Sequence, residues 1–135
     1  MMRFQKLTFT NAAGQTLVGR LDWPLDGRPK AFALFAHCFT CTKNLRAVKH
    51  LSEALSHQGI AVLRFDFTGL GESEGDFADT NFSANVDDLV RAAEVLRERH
   101  QAPQLMEGHS FGGAAVLKAP PRIPECRALA TICHP

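Results

Sequence analysis

The stretch Gly-His-Ser-Phe-Gly-Gly, residues 108–113, decides how this sequence folds and where its chemistry lies. A short apolar segment precedes it and a helix-forming segment follows it, so the pattern predicts a sharp turn from a strand into a helix. In such a turn, called a nucleophile elbow, a strained backbone lifts the serine hydroxyl above the sheet. Helix and strand cross so closely there that only small side chains fit two residues before and after the serine, where Gly108 and Gly112 stand. We therefore predict that Ser110 is a nucleophile; the alternative is a glycine-rich helix start without chemistry.

Length and composition predict one domain over residues 1–135 with an ordinary globular balance. Hydrophobic residues make up 45% and charged residues 21% of the chain, and the formal net charge is +1, so neither nucleic acid nor a membrane is expected as a partner. The longest apolar run, Ala31 to Ala36, is too short to span a bilayer. The N-terminus lacks the apolar segment of a secretory signal, and 4 cysteines are too few for a disulfide scaffold. A cytoplasmic location is the expectation.

Hydrophobic periodicity predicts an alternation of strands and helices on both sides of the elbow. The predicted elements are a β-hairpin over residues 7–23, strands over 31–36, 60–67, 103–107 and 127–133, a helix over 44–58, a helix capped by Ser83, and a helix from 111 to about 118 that the two prolines at 120 and 121 end. The continuous apolar run Ala31–Ala36 is typical of a parallel strand covered on both faces. The sequence therefore predicts an α/β fold, a mostly parallel sheet with flanking helices and an N-terminal β-hairpin.

The loop after the strand over residues 31–36 is the second chemical signal. In an elbow enzyme one N–H of the oxyanion hole comes from the residue after the nucleophile, here Phe111, and the other comes from the loop after the third strand. Phe39, two residues past His37, is the candidate for that second N–H. The alternative is that His37 and Phe39 only pack against or cap the strand end.

Three segments together resemble the alpha/beta-hydrolase superfamily: His37-Cys38-Phe39, the Asp-Phe-Thr-Gly-Leu-Gly-Glu-Ser loop at residues 66–73, and the elbow at residues 108–113. More narrowly, the chain is similar to the hydrolase half of bacterial proteins that fuse such a domain to an OsmC-like domain. The resemblance covers essentially the whole chain and implies hydrolysis of acyl esters or related small acyl substrates. It also implies that the catalytic Asp and His follow later strands, beyond Pro135, so we expect a C-terminally truncated domain.

A general base is harder to find among the 6 histidines. His134, at the end of the last predicted strand, is the weaker candidate that remains, because open α/β sheets hold their sites at that edge. His37 is predicted to be structural, and Asp66 is predicted to anchor its loop rather than to catalyse. Two functions therefore stay open: a serine hydrolase, or a catalytically incomplete hydrolase-fold fragment or interaction module. The last strand would be an exposed apolar edge, so self-association or a C-terminal partner domain is also predicted.

Other motifs predict no metal or cofactor. Cys38 and Cys41 form a Cys-x-x-Cys pair between a predicted strand and a predicted helix, where a thioredoxin-like redox site would lie. However, the nucleophile-elbow interpretation already explains the same loop. Cys126 and Cys133 lie in or beside a predicted strand and offer poor zinc spacing. The glycines at 69 and 71 lack the third glycine of a dinucleotide motif, and the acidic residues around them would repel phosphate.

Overall fold

The computed structural model describes residues 3–37 and 46–132. The strands of this part are β1 (Arg3–Thr10), β2 (Thr16–Trp23), β3 (Ala31–Ala36), β4 (Ile60–Phe65), β5 (Leu105–His109) and β6 (Ala128–Ile132). The helices are α1 (Arg46–His57), α2 (Phe82–Arg99) and α3 (Phe111–Lys118), and short 3-10 turns occupy Phe77–Asp79 and Pro120–Arg122. None of the helices in these ranges is long and apolar enough to cross a membrane.

The strands form one sheet in the order β1-β2-β4-β3-β5-β6. β1 pairs with β2 and β2 with β4 in antiparallel fashion, whereas β3 pairs in parallel with both β4 and β5, and β5 pairs in parallel with β6. Helices α1, α2 and α3 connect the successive parallel strands. The predicted fold class, a mostly parallel α/β sheet that begins with a hairpin, is confirmed.

Helices cover the two faces of the sheet unequally. The larger core joins α2 and α3 to one face through residues such as Leu89, Val116 and Met106. On the opposite face Val48 of α1 packs against alternate residues of β3 and β4, including Phe35. Because β3 is covered on both faces, its continuous apolar sequence is explained as the pattern of residues 31–36 predicted.

Several boundaries differ from the sequence-based expectation: β1 begins at Arg3, β4 ends at Phe65 and β5 begins at Leu105. The prediction of Ser83 as the cap of α2 is wrong: Asn81 is the N-cap, and its side chain accepts a hydrogen bond from the Ala84 N–H at 2.8 Å. Both residue types are good caps, and Phe82, which packs against the core, sets the start of the helix. β5 continues two residues beyond Glu107 because Gly108 pairs with Ala36 of β3 and with β6.

Candidate active site

Ser110 lies in the turn between the end of β5 and the start of α3. Its φ of 55° and ψ of −116° match the first central residue of a type II′ turn, a conformation usually left to glycine. Among the described residues it is the non-glycine residue with a positive φ. Such strain costs on the order of 1–3 kcal/mol and persists only where the surroundings enforce it. The Ser110 N–H donates to the Ile132 carbonyl at 2.7 Å, and the Ser110 carbonyl accepts from the Gly113 N–H at 2.9 Å.

Glycines on both sides of Ser110 lie against backbone. A Cβ on Gly108 would come within 2.5 Å of the Gly113 Cα, and a Cβ on Gly112 would come within 2.5 Å of the His37 carbonyl oxygen and closer still to the Ala36 oxygen. Helix α3 therefore rests directly on the ends of β3 and β5. Neither glycine has room for a side chain.

Ser110 itself is half-buried and its hydroxyl does not cap α3. Phe111, the first residue of α3, has an exposed ring that packs edge-to-face on the ring of Phe82, with centroids 5.5 Å apart. Phe82 carries no local sequence signal that connects it with the elbow; it is the first residue of α2, directly after the Asn81 cap. The serine, one exposed aromatic ring and the first turn of α3 thus lie together at the carboxyl edge of the sheet.

His37 and Asp66 lie side by side beneath this edge. The His37 Nε2 is 3.7 Å from the Asp66 Oδ1, and both side chains are almost fully buried. The Asp66 Oδ2 accepts the Glu72 N–H at 3.0 Å, and the Asp66 backbone carbonyl accepts the Ser73 hydroxyl at 2.6 Å. These bonds fasten the loop that follows β4, so the contacts of Asp66 agree with the loop-anchoring role that we predicted.

The remaining histidines are not gathered at the serine. His50 and His57 are exposed on α1, and His100, the C-cap of α2, stacks on the ring of Phe32 at 5.6 Å. His109 buries its Nδ1 without a hydrogen-bond partner. Within residues 3–37 and 46–132, no histidine forms a hydrogen bond with the Ser110 hydroxyl.

Several predicted site residues lie outside the described residues. These are the oxyanion-hole candidate Phe39, the candidate base His134, and the cysteines at positions 38, 41 and 133. Their roles stay predictions. In the part of the chain that the structure does describe, no group of three His, Cys, Asp or Glu side chains could hold a metal ion.

Two carboxyl groups are buried in the elements on either side of the site, Glu107 on β5 and Asp88 on α2. Burial raises the pKa of Glu107, whose side chain on β5 is 7% exposed. Burial also raises the pKa of Asp88, although its Oδ2 accepts both the backbone N–H and the hydroxyl of Thr68, at 2.8 and 2.7 Å. Asp88 therefore ties α2 to the loop after β4.

Comparison with known proteins shows what this arrangement resembles. The esterase domain of a Rhodothermus marinus protein is 51% identical, with a TM-score of 0.82 over 99% of this chain and 51% of that one. XC6422 from Xanthomonas campestris, a serine hydrolase without a lid, is 27% identical, with a TM-score of 0.85 over 98% of this chain and 62% of that one. Together with the sheet order, these relatives define an alpha/beta-hydrolase fold of the esterase type.

The sequence comparisons name the family more closely. The family described as serine aminopeptidase, S33, matches residues 27–133, and the chain belongs to this family of hydrolases. The monoglyceride lipase of Rattus norvegicus is 30% identical over 111 residues, which are 81% of this chain and 36% of the lipase. The chain thus spans about a third of that relative's length and half of the Rhodothermus chain.

Proposed function

We propose that the chain carries the nucleophile of a serine hydrolase that acts on small acyl esters, and that Ser110 is that nucleophile. The observation that carries the proposal is the strained backbone of Ser110 at a strand-to-helix turn, with a positive φ that serine does not adopt without support. The esterase and lipase relatives support an ester substrate. Ser110 is half-buried and its hydroxyl does not cap α3, which is consistent with a role in chemistry rather than in capping.

In the proposed reaction the Ser110 oxygen attacks the acyl carbonyl while a general base takes its proton. The resulting oxyanion accepts hydrogen bonds from the backbone N–H groups of Phe111 and Phe39. The base then protonates the leaving alcohol, and water, activated by the same base, releases the acid from the acyl-enzyme. His134 is the candidate base within this sequence; by resemblance, the family's own Asp and His follow later strands.

The first turn of α3 supports the oxyanion part of this proposal. The first N–H groups of a helix have no partner in the helix itself, and the helix dipole places about half a positive charge at its N-terminus. Phe111 is the first residue of α3. Negative charge that develops beside Ser110 would therefore be stabilised by the helix as well as by the amide.

A catalytically incomplete hydrolase-fold fragment or interaction module is the second candidate. The hydrolase and esterase relatives do not favour it, although among the described residues no histidine is hydrogen-bonded to Ser110. Without a base, an elbow serine keeps an ordinary, weakly nucleophilic hydroxyl. The expected upper limit is then a rate acceleration of roughly 10³–10⁴-fold over the uncatalysed reaction in water, which comes from the oxyanion hole and substrate binding.

The edge strand β6 supports a partner for this fold. All five of its residues, Ala-Leu-Ala-Thr-Ile, are exposed, and none is charged or a proline, which are the usual protections of a sheet edge. The opposite edge differs: β1 carries Arg3 and Lys6, and arginines of α2 donate to its Thr8 and Thr10 carbonyls at 3.1 Å. We therefore propose that β6 pairs with a second copy or a C-terminal partner domain.

Labelling with a fluorophosphonate tests the nucleophile. We expect the purified chain to be labelled at one serine, Ser110→Ala to lose the label, and Ser83→Ala, which changes an exposed serine on α2, to keep it. Circular dichroism should show that both variants keep the native fold. Label that persists in Ser110→Ala would remove Ser110 from the mechanism, and an unlabelled native chain would favour the incomplete fragment.

A further inference from the structure

The face of the sheet opposite to α3 is open to solvent at β6. Leu105, Glu107 and His109 of β5 point to this face beside Ala128, Ala130 and Ile132 of β6. The intervening Met106 packs on the other side, in the core that α2 and α3 cover. Helix α1 covers the face at β3 and β4, whereas the three residues of β6 are exposed. We call the surface formed by Glu107, His109, Ala128, Ala130 and Ile132 the open face.

Two polar groups of the open face have no partner. Glu107 lies opposite Ala130 and is 7% exposed. Burial alone raises its pKa, because no hydrogen bond or opposite charge among the described residues offsets the loss of water. Two residues along the same strand, the Nδ1 of His109 is also buried without a hydrogen-bond partner. Since buried polar groups in native proteins are paired as a rule, both groups indicate that another segment supplies their partners.

The carboxylate of Glu107 restricts what can cover this face. Its neighbours in the same row of the sheet are Phe35 of β3 and Ala130 of β6, and neither can neutralise it. A purely apolar segment that covered the open face would bury the charge completely, at a high cost in free energy. A segment with a cation at that place would pair with it instead. Glu107 therefore favours one kind of partner and acts against others.

We infer that the open face binds an amphipathic helix of a partner polypeptide, and that this helix carries a lysine or arginine that pairs with Glu107. Helices are the elements that cover the faces of mostly parallel sheets. Apolar side chains of the helix would cover Ala130 and Ile132, whose exposed carbon surface gains free energy on burial. This docking concerns the face of β6 rather than its backbone edge, and it does not depend on the proposed nucleophile.

A pair of synthetic peptides tests the charge pairing on the full chain. Both are amphipathic helices of about 18 residues, identical except for one position in the apolar face, which is lysine in one peptide and methionine in the other. By titration calorimetry we expect the lysine peptide to bind the native chain about 10-fold more tightly, as paired charges at interfaces do. The preference should disappear in Glu107→Gln. It should persist in Glu98→Gln, which changes an exposed carboxylate of α2.

A matched pair of variants on β6 tests the location. Ile132 and Leu129 are 41% and 39% exposed but point to opposite faces of the strand, since Leu129 lies beside Met106 and Ile132 beside His109. We expect Ile132→Ala to weaken the binding of both peptides several-fold and Leu129→Ala to leave it unchanged. In NMR titrations the methyl signals of Ile132 should shift with added lysine peptide, and those of Leu129 should shift less.

Several outcomes would overturn the inference. Equal affinities of the two peptides for the native chain, or a lysine preference that survives in Glu107→Gln, would refute the charge pairing. Unshifted Ile132 methyl signals would refute the docking face, and signals that shift with protein concentration alone would assign the face to a second copy instead. Fluorophosphonate labelling of Ser110 needs neither peptide, so the proposed nucleophile stands or fails separately.

Discussion

The closeness of α3 to β3 predicts unequal effects of alanine at two adjacent glycines. A methyl group on Gly112 would overlap the backbone carbonyl oxygens of Ala36 and His37. A methyl group on Gly113 would meet the side chain of Thr131 at 3.3 Å, a tight contact with atoms that can move by a few tenths of an ångström. Both glycines lie in the same helix, so each alanine variant gains the same helix propensity, about 1 kcal/mol.

The difference in the free energy of unfolding between the two variants therefore measures only the contacts that the added methyl group makes. Overpacking costs typically about 1–3 kcal/mol, and we take the upper end for Gly112→Ala because backbone carbonyls cannot rotate aside. Subtracting the gain of about 1 kcal/mol in propensity leaves a net loss of about 2 kcal/mol. Gly113→Ala should stay within about 1 kcal/mol of the native chain.

Urea unfolding followed by circular dichroism tests this expectation. With a slope near 1 kcal/mol per molar urea for a small domain, the midpoint of Gly112→Ala should fall by about 2 M, and that of Gly113→Ala by no more than about 1 M. Equal midpoints and slopes for the two variants would refute the reasoning, because α3 would then not rest on the β3 carbonyls.

Three further predictions concern the elbow, the buried acid and the sheet edge. Ser110→Gly should be more stable than Ser110→Ala by about 1 kcal/mol in urea unfolding, because only glycine adopts the observed φ without strain; equal stabilities would argue against the strain. Burial raises the pKa of Glu107 above its ordinary value of 4.5, so its ionisation destabilises the fold as the pH rises through the folded-state pKa; Glu107→Gln should be the more stable protein at neutral pH, and unfolding curves should converge below about pH 4.5. Ala130→Lys on β6 should reduce self-association in size-exclusion chromatography, whereas Gln5→Lys on the β1 edge should not, and a native chain that is monomeric at all concentrations would contradict the pairing of β6 with a second copy.

The sequence was sufficient to predict the fold class because the decisive signals are local. Apolar runs such as Ala31–Ala36 indicate strands covered on both faces, and the glycines of residues 108–113 indicate a turn with a close helix crossing. The family match over residues 27–133 and the esterase relatives agree with the hydrolase class. The roles of Ser110, Phe39 and His134 stay predictions, since they depend on chemistry that the fold alone does not test.

Features that depend on which strands are neighbours could not be read from local patterns. The Arg64 guanidinium lies 3.0 Å from the Asp22 carboxylate, both almost fully buried, and burial lowers the pKa of Arg64 despite this partner. The two residues are 42 positions apart and meet because β2 inserts antiparallel beside β4. Periodicity assigns a residue to a face of its own strand but does not say which strand lies next to it. The Phe82–Phe111 contact was missed for the same reason.

A hydrogen bond links the edge strand β6 to the nucleophile elbow. The Ser110 N–H donates to the carbonyl of Ile132, the last residue of β6, at 2.7 Å, so the strained conformation of Ser110 is held in part by the strand at the edge of the sheet that the described residues form. Strand ends with exposed backbone open locally at low free-energy cost. Opening of β6 would release this hydrogen bond and let Ser110 relax out of its positive φ. A chain that pairs along β6 would oppose that opening, so Ala130→Lys should reduce fluorophosphonate labelling of Ser110 together with self-association. Labelling that stays at the native rate in a dissociated Ala130→Lys variant would show that the elbow holds its strain without support from the edge.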